Sequence, residues 1–79
     1  MLTLYYRPTC PYSHKVRDTA ERLGIALDLK DIADPANAAA LIKRGGKQQV
    51  PYLVDAERGV EMYESADIAG YLEEHYAPK

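Results

Sequence analysis

The sequence predicts a small α/β domain in which a four-stranded mixed sheet is flanked by helices. Three observations support this prediction. Short β-favouring runs alternate with two helical stretches in the first half, an apolar hairpin pattern follows, and a helical stripe closes the chain. The element order is therefore β-α-β-α-β-β-α, with a right-handed first crossover. At 79 residues the chain has room for one core, so residues 1–79 are expected to form a single domain.

The first strand and the first helix are separated by a turn. Residues 1–6 form a short apolar run of β-favouring side chains, which the turn residues 7–9 end. From Pro11 onward the apolar side chains recur at helical spacing, and Gly24 is suited to end that helix. The recurring apolar positions are Val16, Ala20 and Leu23. This stretch predicts an amphipathic helix that begins directly after Cys10.

A second strand and a second helix follow. Residues 25–32 alternate apolar and polar side chains, as a strand with one buried face does, which favours the edge of the sheet. Asp34 is suited to cap a helix whose first residue is Pro35. The Gly45-Gly46 pair marks the expected end of this alanine-rich helix.

The last third of the chain predicts a hairpin and a helix. Residues 50–54 and 60–63 are β-favouring runs on either side of a turn. Proline cannot donate a hydrogen bond to a neighbouring strand, so Pro51 is expected at the start of the third strand. Ser65 is expected to cap the final helix. The apolar stripe of that helix comprises Ile68, Leu72 and the His75-Tyr76 pair.

The composition excludes several classes of partner. Apolar residues make up 47% and charged residues 28% of the chain, as in ordinary globular domains, so a disordered chain is excluded. The net charge of −2 argues against nucleic acid and anionic membranes, because both need clustered Lys and Arg. The sequence has no run of about 18 apolar residues and no basic, cleavable leader. The protein is therefore expected in the cytoplasm, without a membrane partner.

Cys10 is the only cysteine, which excludes an internal disulfide and a multi-thiolate zinc site within one chain. It lies directly before Pro11, a favoured first helical residue, so its thiol is expected at a helix N-terminus. Free N–H groups and the helix dipole lower the pKa of such a thiol from about 8.5 to roughly 3.5–7.5. Arg7 and Lys15 are close enough in sequence to help. A buried structural cysteine is the alternative, and the flanking Pro11 and Tyr12 favour a reactive thiolate.

Three motifs resemble those of a known superfamily. The Cys10-Pro11-Tyr12-Ser13 segment resembles the active-site turn of glutaredoxins, in the variant where serine replaces the second cysteine. Val50-Pro51 resembles the loop before the third strand in the thioredoxin superfamily, whose peptide bond is cis. Glu64-Ser65 resembles the Glu-Ser pair of transferase-like glutaredoxins and of the N-terminal domain of glutathione transferases. Together the motifs imply a thioredoxin-like (glutaredoxin) fold with glutathione as the co-substrate.

The resemblance also implies where the cysteinyl and γ-glutamyl parts of glutathione bind. The cis bond between Val50 and Pro51 would turn the Val50 backbone toward the thiol, where it would pair with the cysteinyl part as an added strand does. Ser65 and the N-terminus of the last helix would bind the γ-glutamyl carboxylate, because a helix N-terminus attracts anions.

Further polar residues are implied at the two ends of the tripeptide. Glu64 would take the γ-glutamyl ammonium or support the turn, with Asp67 competing for this role. Gln49, with Lys47 or Gln48 in support, would bind the glycyl end through hydrogen bonds and charge.

Each of these residues also has an ordinary structural interpretation. Ser65 is suited to cap a helix in any case, Pro51 is a strand-start proline, and Glu64 taken alone is a surface acid. Tyr12 would lie either over bound glutathione or over the helix start. His14 invites a Cys–His general-base role, although a thiolate at a helix start needs no base.

Ser13 in place of a second cysteine implies a monothiol glutathione-disulfide oxidoreductase. The Cys10 thiolate would attack the glutathionyl sulfur of a protein–glutathione disulfide, and a second glutathione would regenerate it. Arg7, Pro11 and Ser13 are the residues expected to support the thiolate. The expected partners are glutathione and glutathionylated proteins, with the protein a monomer and no metal bound. Xenobiotic conjugation is not expected, since the 79 residues lack the all-helical second domain that shapes the electrophile site of transferases.

Two other functions stay open. A homodimer would hold a [2Fe–2S] cluster with Cys10 of each subunit and two glutathione thiols. Against this, Pro11-Tyr12 stands where the cluster carriers of the family have Gly-Phe. The chain would otherwise be a glutathione-binding module that turns over nothing.

Overall fold

The computed structural model describes residues 2–77, and the predicted order of strands and helices is confirmed there. The strands are β1 (Leu2–Tyr6), β2 (Leu27–Asp31), β3 (Tyr52–Asp55) and β4 (Val60–Met62), and the helices are α1 (Pro11–Leu23), α2 (Pro35–Gly45) and α3 (Ser65–Tyr76). The sheet has the order β2-β1-β3-β4. β1 is parallel to β2 and antiparallel to β3, which is antiparallel to β4. The mixed sheet and the edge position of β2 agree with the prediction.

The core lies on both faces of the sheet. One face packs against α1 and α3 through Leu4 and Leu53, which are fully buried. The other face packs against α2 through Tyr5, Tyr52 and Leu41. Since successive strand residues point to opposite faces, Leu4 and Tyr5 supply the two halves of the core from neighbouring positions.

Two of the helix ends follow the predicted signals. Gly24 adopts a left-handed conformation at φ 71°, and its N–H bonds to the last turn of α1. The Asp34 carboxylate accepts the Ala36 N–H at 2.9 Å and so caps α2.

The start of α3 differs from the prediction. Glu64, not Ser65, occupies the cap position, and Ser65 is the first helical residue. The helix begins one residue earlier than expected because the Glu64 carbonyl already accepts the Ile68 N–H at 3.0 Å. Glu64 has a φ of 71°, which is rare for a residue with a side chain.

Three strands are shorter than predicted, and β4 ends at Met62 instead of residue 63. β2 begins at Leu27 because the Ile25 N–H donates to the Ala20 carbonyl at the end of α1 and is lost to the sheet. β3 begins at Tyr52, so Pro51 lies just before the strand instead of at its first position. Within residues 2–77, no helix is long and apolar enough to cross a membrane.

Candidate functional site

Cys10 lies between the end of β1 and the start of α1. Its N–H donates to the Arg7 carbonyl at 3.0 Å, which closes the turn, and its backbone at φ −86° and ψ 121° is extended. Pro11 is the first residue of α1 and has no N–H to satisfy. The half-buried Cys10 side chain therefore lies at the N-terminus of α1, as the sequence predicted.

The surroundings of the thiol lower the pKa of Cys10. Partial burial raises the pKa, but hydrogen bonds from the backbone and hydroxyl of Ser13 and from the backbone of Tyr12 outweigh it, and the charge of Arg7 adds to them. Ser13 is fully buried, and its Oγ accepts the Arg7 N–H at 3.3 Å. The hydroxyl proton of Ser13 is thereby left for the Cys10 sulfur. Of the predicted supporting residues, Ser13 and Arg7 lower the pKa of the thiol, and Pro11 follows Cys10 as the first residue of α1.

His14 is held by the backbone. Its Nε2 forms a hydrogen bond with the Pro8 carbonyl on the turn between β1 and α1. The ring is thus engaged with that turn, and the structure gives no support to the Cys–His pair that the sequence left open.

A cleft of about 570 Å³ lies beside α1, the helix that begins directly after Cys10. Three segments form its walls: the first turns of α1, the loop before β3 and the start of α3. The lining residues are Tyr12, Lys15, Gln49, Val50, Pro51, Glu64, Ser65 and Ala66. The volume is within the range of small-ligand pockets, and the Tyr12 side chain, 64% exposed, lies open to the cleft.

The loop before β3 offers free backbone groups to the cleft. The Val50-Pro51 peptide bond is cis, as the resemblance implied. Among residues 2–77, the N–H and C=O of Val50 have no backbone partner. An extended ligand could pair with both groups, as an added strand does.

The start of α3 combines an anion site with a carboxylate. The first N–H groups of a helix have no intrahelical partner, so those at Ser65 and Ala66 are available beside the cleft. The Glu64 carboxylate is exposed, and its Oε1 lies 3.5 Å from Nε2 of Gln49, a long contact. A ligand with a carboxylate and an ammonium group would thus find N–H donors at Ser65 and Ala66 and an acceptor at Glu64. Gln49 lies beside that acceptor.

Lys47 is not brought into the cleft. Its ammonium lies 5.0 Å from the centre of the Tyr63 ring, and its carbonyl accepts the Tyr63 hydroxyl at 2.8 Å. Gln48 is exposed and does not line the cleft either. The attraction to Tyr63 explains why Lys47 points away from the position that the resemblance implied.

Lys15 and Ala66 line the cleft although the sequence argument did not place them there. The signal for Lys15 was its spacing, because residues three apart on a helix share a face and Tyr12 was already a candidate. Among residues 2–77, no group of three or more His, Cys, Asp or Glu side chains is gathered to hold a metal. The shared iron–sulfur cluster stays an untested prediction, since it needs a second chain.

Comparison with known proteins identifies relatives of the chain. Residues 4–79 match the family model described as glutathione S-transferase, N-terminal domain. A delta-class glutathione transferase from Nilaparvata lugens is similar with a TM-score of 0.83 and 28% identity, over 100% of this chain and 38% of that one. Glutathione S-transferase 1-6 from Anopheles dirus species B is 35% identical with a TM-score of 0.81, over 98% and 37%.

A third transferase structure is similar over nearly the whole chain. Glutathione transferase Omega 3C from Trametes versicolor is 25% identical with a TM-score of 0.82, over 98% of this chain and 35% of that one. The chain therefore spans less than two fifths of the length of these three proteins. All three are transferases, so the resemblance to transferase N-terminal domains and the thioredoxin-like fold are confirmed, whereas the narrower glutaredoxin assignment depends on the Cys10–Ser13 motif alone.

Proposed function

Because the chain belongs to the glutathione S-transferase N-terminal domain family, we propose that it binds glutathione in the cleft and catalyses glutathione-dependent thiol–disulfide exchange through Cys10. The observation that carries the proposal is the position of Cys10, whose pKa is lowered, at the N-terminus of α1, the helix whose first turns line a cleft of ligand size. A thiolate in that position is a nucleophile next to a binding site.

In this proposal the cleft walls bind the tripeptide at three points. The free Val50 backbone groups pair with the cysteinyl residue, which directs its sulfur toward Cys10. The γ-glutamyl carboxylate binds the N-terminus of α3 at Ser65, and the γ-glutamyl ammonium binds Glu64. Gln49 takes the glycyl end. Lys47 is left out of the binding site, because its ammonium is engaged by Tyr63.

The reaction proceeds in two exchanges. The Cys10 thiolate attacks the glutathionyl sulfur of a mixed disulfide, the new S–S bond forms, and the other sulfur departs as a thiolate. A second glutathione thiolate then attacks the same glutathionyl sulfur and releases Cys10, with glutathione disulfide as the product. Because Ser13 cannot form an internal disulfide, external glutathione is the reductant that closes the cycle. The lowered pKa of Cys10 favours both its ionised form and its departure.

Conjugation of electrophiles is the second candidate, since the similar structures are named as transferases. Conjugation needs a group that stabilises the glutathione thiolate, such as a hydrogen-bond donor. The lowered pKa of Cys10 favours its ionised form, which cannot donate a hydrogen bond and repels a second thiolate. The same charge is an advantage for attack on a disulfide, which favours exchange over conjugation.

The proposal also covers the location, the substrates and the assembly of the protein. The cycle consumes reduced glutathione, so the proposal places the protein in the cytoplasm, with glutathionylated proteins as substrates. Residues 1–79 are proposed to act as one domain and as a monomer.

The test is turnover of a glutathionylated peptide with glutathione, glutathione reductase and NADPH, for the wild type and for Cys10→Ser. The proposal expects NADPH consumption that Cys10→Ser abolishes. Conjugation of glutathione to 1-chloro-2,4-dinitrobenzene is measured in parallel. Rapid conjugation that survives in Cys10→Ser, without disulfide turnover, would instead identify a transferase activity.

A further inference from the structure

Lys15 is the one cation among the described residues that line the cleft. It lies on α1 one turn after Tyr12 and is exposed. No carboxylate of residues 2–77 forms an ion pair with it, whereas Arg22 pairs with Glu73 and Arg44 pairs with Glu61. The charge of Lys15 is therefore available to a ligand in the cleft.

The cleft has two chemically different walls. The wall opposite α1 consists of the loop before β3 and the start of α3, where Val50 and Ser65 provide the groups that the proposed function assigns to glutathione. The α1 wall presents the exposed Tyr12 ring and the Lys15 ammonium. The proposed glutathione contacts use no group of the α1 wall.

Thiol–disulfide exchange fixes where the departing thiol lies. The attacking, central and departing sulfur atoms lie close to one line, so the departing group is on the far side of the glutathionyl sulfur from Cys10. With glutathione held on the opposite wall, the α1 wall is the protein surface left to contact the departing group.

We propose that Lys15 makes the enzyme prefer disulfides whose departing thiol carries a carboxylate close to its sulfur. The inference rests on the proposed function and adds the class of substrate. In a protein substrate, the favoured site is a glutathionylated cysteine flanked by Asp or Glu. In the step itself, the Cys10–glutathionyl bond forms, the old S–S bond breaks, and the electron pair leaves on the departing sulfur, while Lys15 pairs with the neighbouring carboxylate.

The experiment compares three mixed disulfides of glutathione that differ in the charge of the departing thiol: 3-mercaptopropionate, 2-mercaptoethanol and cysteamine. The measured quantity is kcat/KM for the disulfide at saturating glutathione, which reports the first exchange only. Each variant is compared with the wild type on the same substrate, so intrinsic differences between the departing thiols cancel.

Lys15→Gln is expected to lower kcat/KM for the 3-mercaptopropionate disulfide by roughly two- to five-fold, the effect of one exposed ion pair. The neutral 2-mercaptoethanol disulfide is expected to be unaffected, and Lys15→Glu is expected to favour the cysteamine disulfide. High salt should remove these differences. Lys43→Gln, which makes the same charge change on the exposed surface of α2, should leave the charge preference of the enzyme unaltered.

Equal effects of Lys15→Gln on all three disulfides, or no effect on any, would overturn the role of Lys15 while the proposed function stands. If the wild type turns over none of the three, the proposed function is wrong and the inference fails with it.

Discussion

Ser13 has two roles at the level of single residues. It occupies the position of the second cysteine in the resembled motif, and it is fully buried beneath the turn that carries Cys10. Its backbone N–H and its hydroxyl both act on the thiol and lower the pKa of Cys10 against the effect of burial. The residue that prevents an internal disulfide thus also stabilises the thiolate.

Replacement of Ser13 by Ala is expected to raise the pKa of Cys10, because one donor to the thiolate is lost. The measurement is the rate of iodoacetamide alkylation against pH, whose midpoint should move upward from that of the wild type. Thr19→Val is the matched control, since it removes a hydroxyl that bonds to the Lys15 carbonyl of the same helix. A midpoint shared by Ser13→Ala and the wild type would show that the hydroxyl does not act on the thiol.

Glu64 is held in a strained backbone conformation at the cleft. Its φ of 71° disfavours any side chain with a Cβ, at a cost of about 1–2 kcal/mol. Such residues are often found at functional sites, where the strain accompanies the placement of a side chain.

Two substitutions of Glu64 separate the backbone from the carboxylate. Glu64→Gly and Glu64→Ala are both expected to weaken glutathione binding about ten-fold or less, through the loss of a charged hydrogen bond. Only Glu64→Gly is expected to raise the free energy of unfolding, by about 1 kcal/mol, because it relieves the strain. Calorimetric titration with glutathione and urea unfolding check the two results. Unchanged binding in both variants would remove Glu64 from the site.

At the level of elements, the end of α2 is attached to the end of β4 by Tyr63. The Tyr63 ring packs against Gly45, receives the Lys47 ammonium on its face and donates its hydroxyl to the Lys47 carbonyl. A Cβ at Gly45 would overlap the Tyr63 hydroxyl. This attachment fixes the path of the loop that carries Gln49 and Val50 to the cleft.

Gly45→Ala is therefore expected to displace Tyr63 and to weaken glutathione binding several-fold, while the pKa of Cys10 stays as in the wild type. Calorimetric titration and alkylation against pH measure the two quantities. Gly70→Ala is the control, because it lies in the middle of α3 with open space around it and should stabilise the protein by about 0.5–1 kcal/mol. Equal glutathione affinity of Gly45→Ala and the wild type would contradict the positioning role of Tyr63.

The elements show which features the sequence could predict. Helix ends marked by local signals were predicted correctly, as at Asp34 and Gly24, because a cap depends on neighbouring residues. The start of α3 was missed by one residue, since the left-handed conformation of Glu64 has no sequence signal. The contact between Lys47 and Tyr63 was not predicted, because the two residues are far apart in sequence and only the folded chain brings them together.

At the level of the whole molecule, the cleft and a buried cluster lie at opposite ends of β1. The cluster consists of Asp55, Tyr71 and Tyr76. Cys10 lies on the turn that follows the end of β1, whereas Asp55 is paired with Leu2 at the other end of that strand. Asp55 is 1% exposed and accepts the hydroxyls of Tyr71 at 2.6 Å and Tyr76 at 2.5 Å. The cluster ties β3 to the C-terminal half of α3.

The cluster shifts the pKa values of its members in opposite directions. Burial raises the pKa of Asp55, but the two tyrosine hydroxyls and the backbone and charge of Arg58 outweigh it, so the pKa is lowered overall. Burial and the hydrogen bond to Asp55 raise the pKa of Tyr71 to about 12. The ionised Asp55 therefore stabilises the fold above its ordinary pKa of about 3.9. That contribution is lost as the pH falls through the lower pKa of the folded state.

Asp55→Asn is expected to lower the free energy of unfolding by about 1–3 kcal/mol at pH 7, since both tyrosine hydroxyls lose a charged acceptor. The deficit relative to the wild type should shrink as the pH falls below about 4, because Asp55 then takes up a proton in the unfolded chain before it does in the folded one. Urea unfolding at pH 7 and at pH 3 measures this. A deficit of the same size at both pH values would show that the charge of Asp55 does not contribute.

The central claim is that Cys10 exchanges disulfides with glutathione. The most direct measurement is the intact mass of the protein after incubation with glutathione disulfide, and again after addition of reduced glutathione. The account predicts one glutathionyl group on the wild type, removal of that group by reduced glutathione, and no addition to Cys10→Ser. A wild-type protein that takes up no glutathionyl group, or that retains it in excess reduced glutathione, would contradict the account.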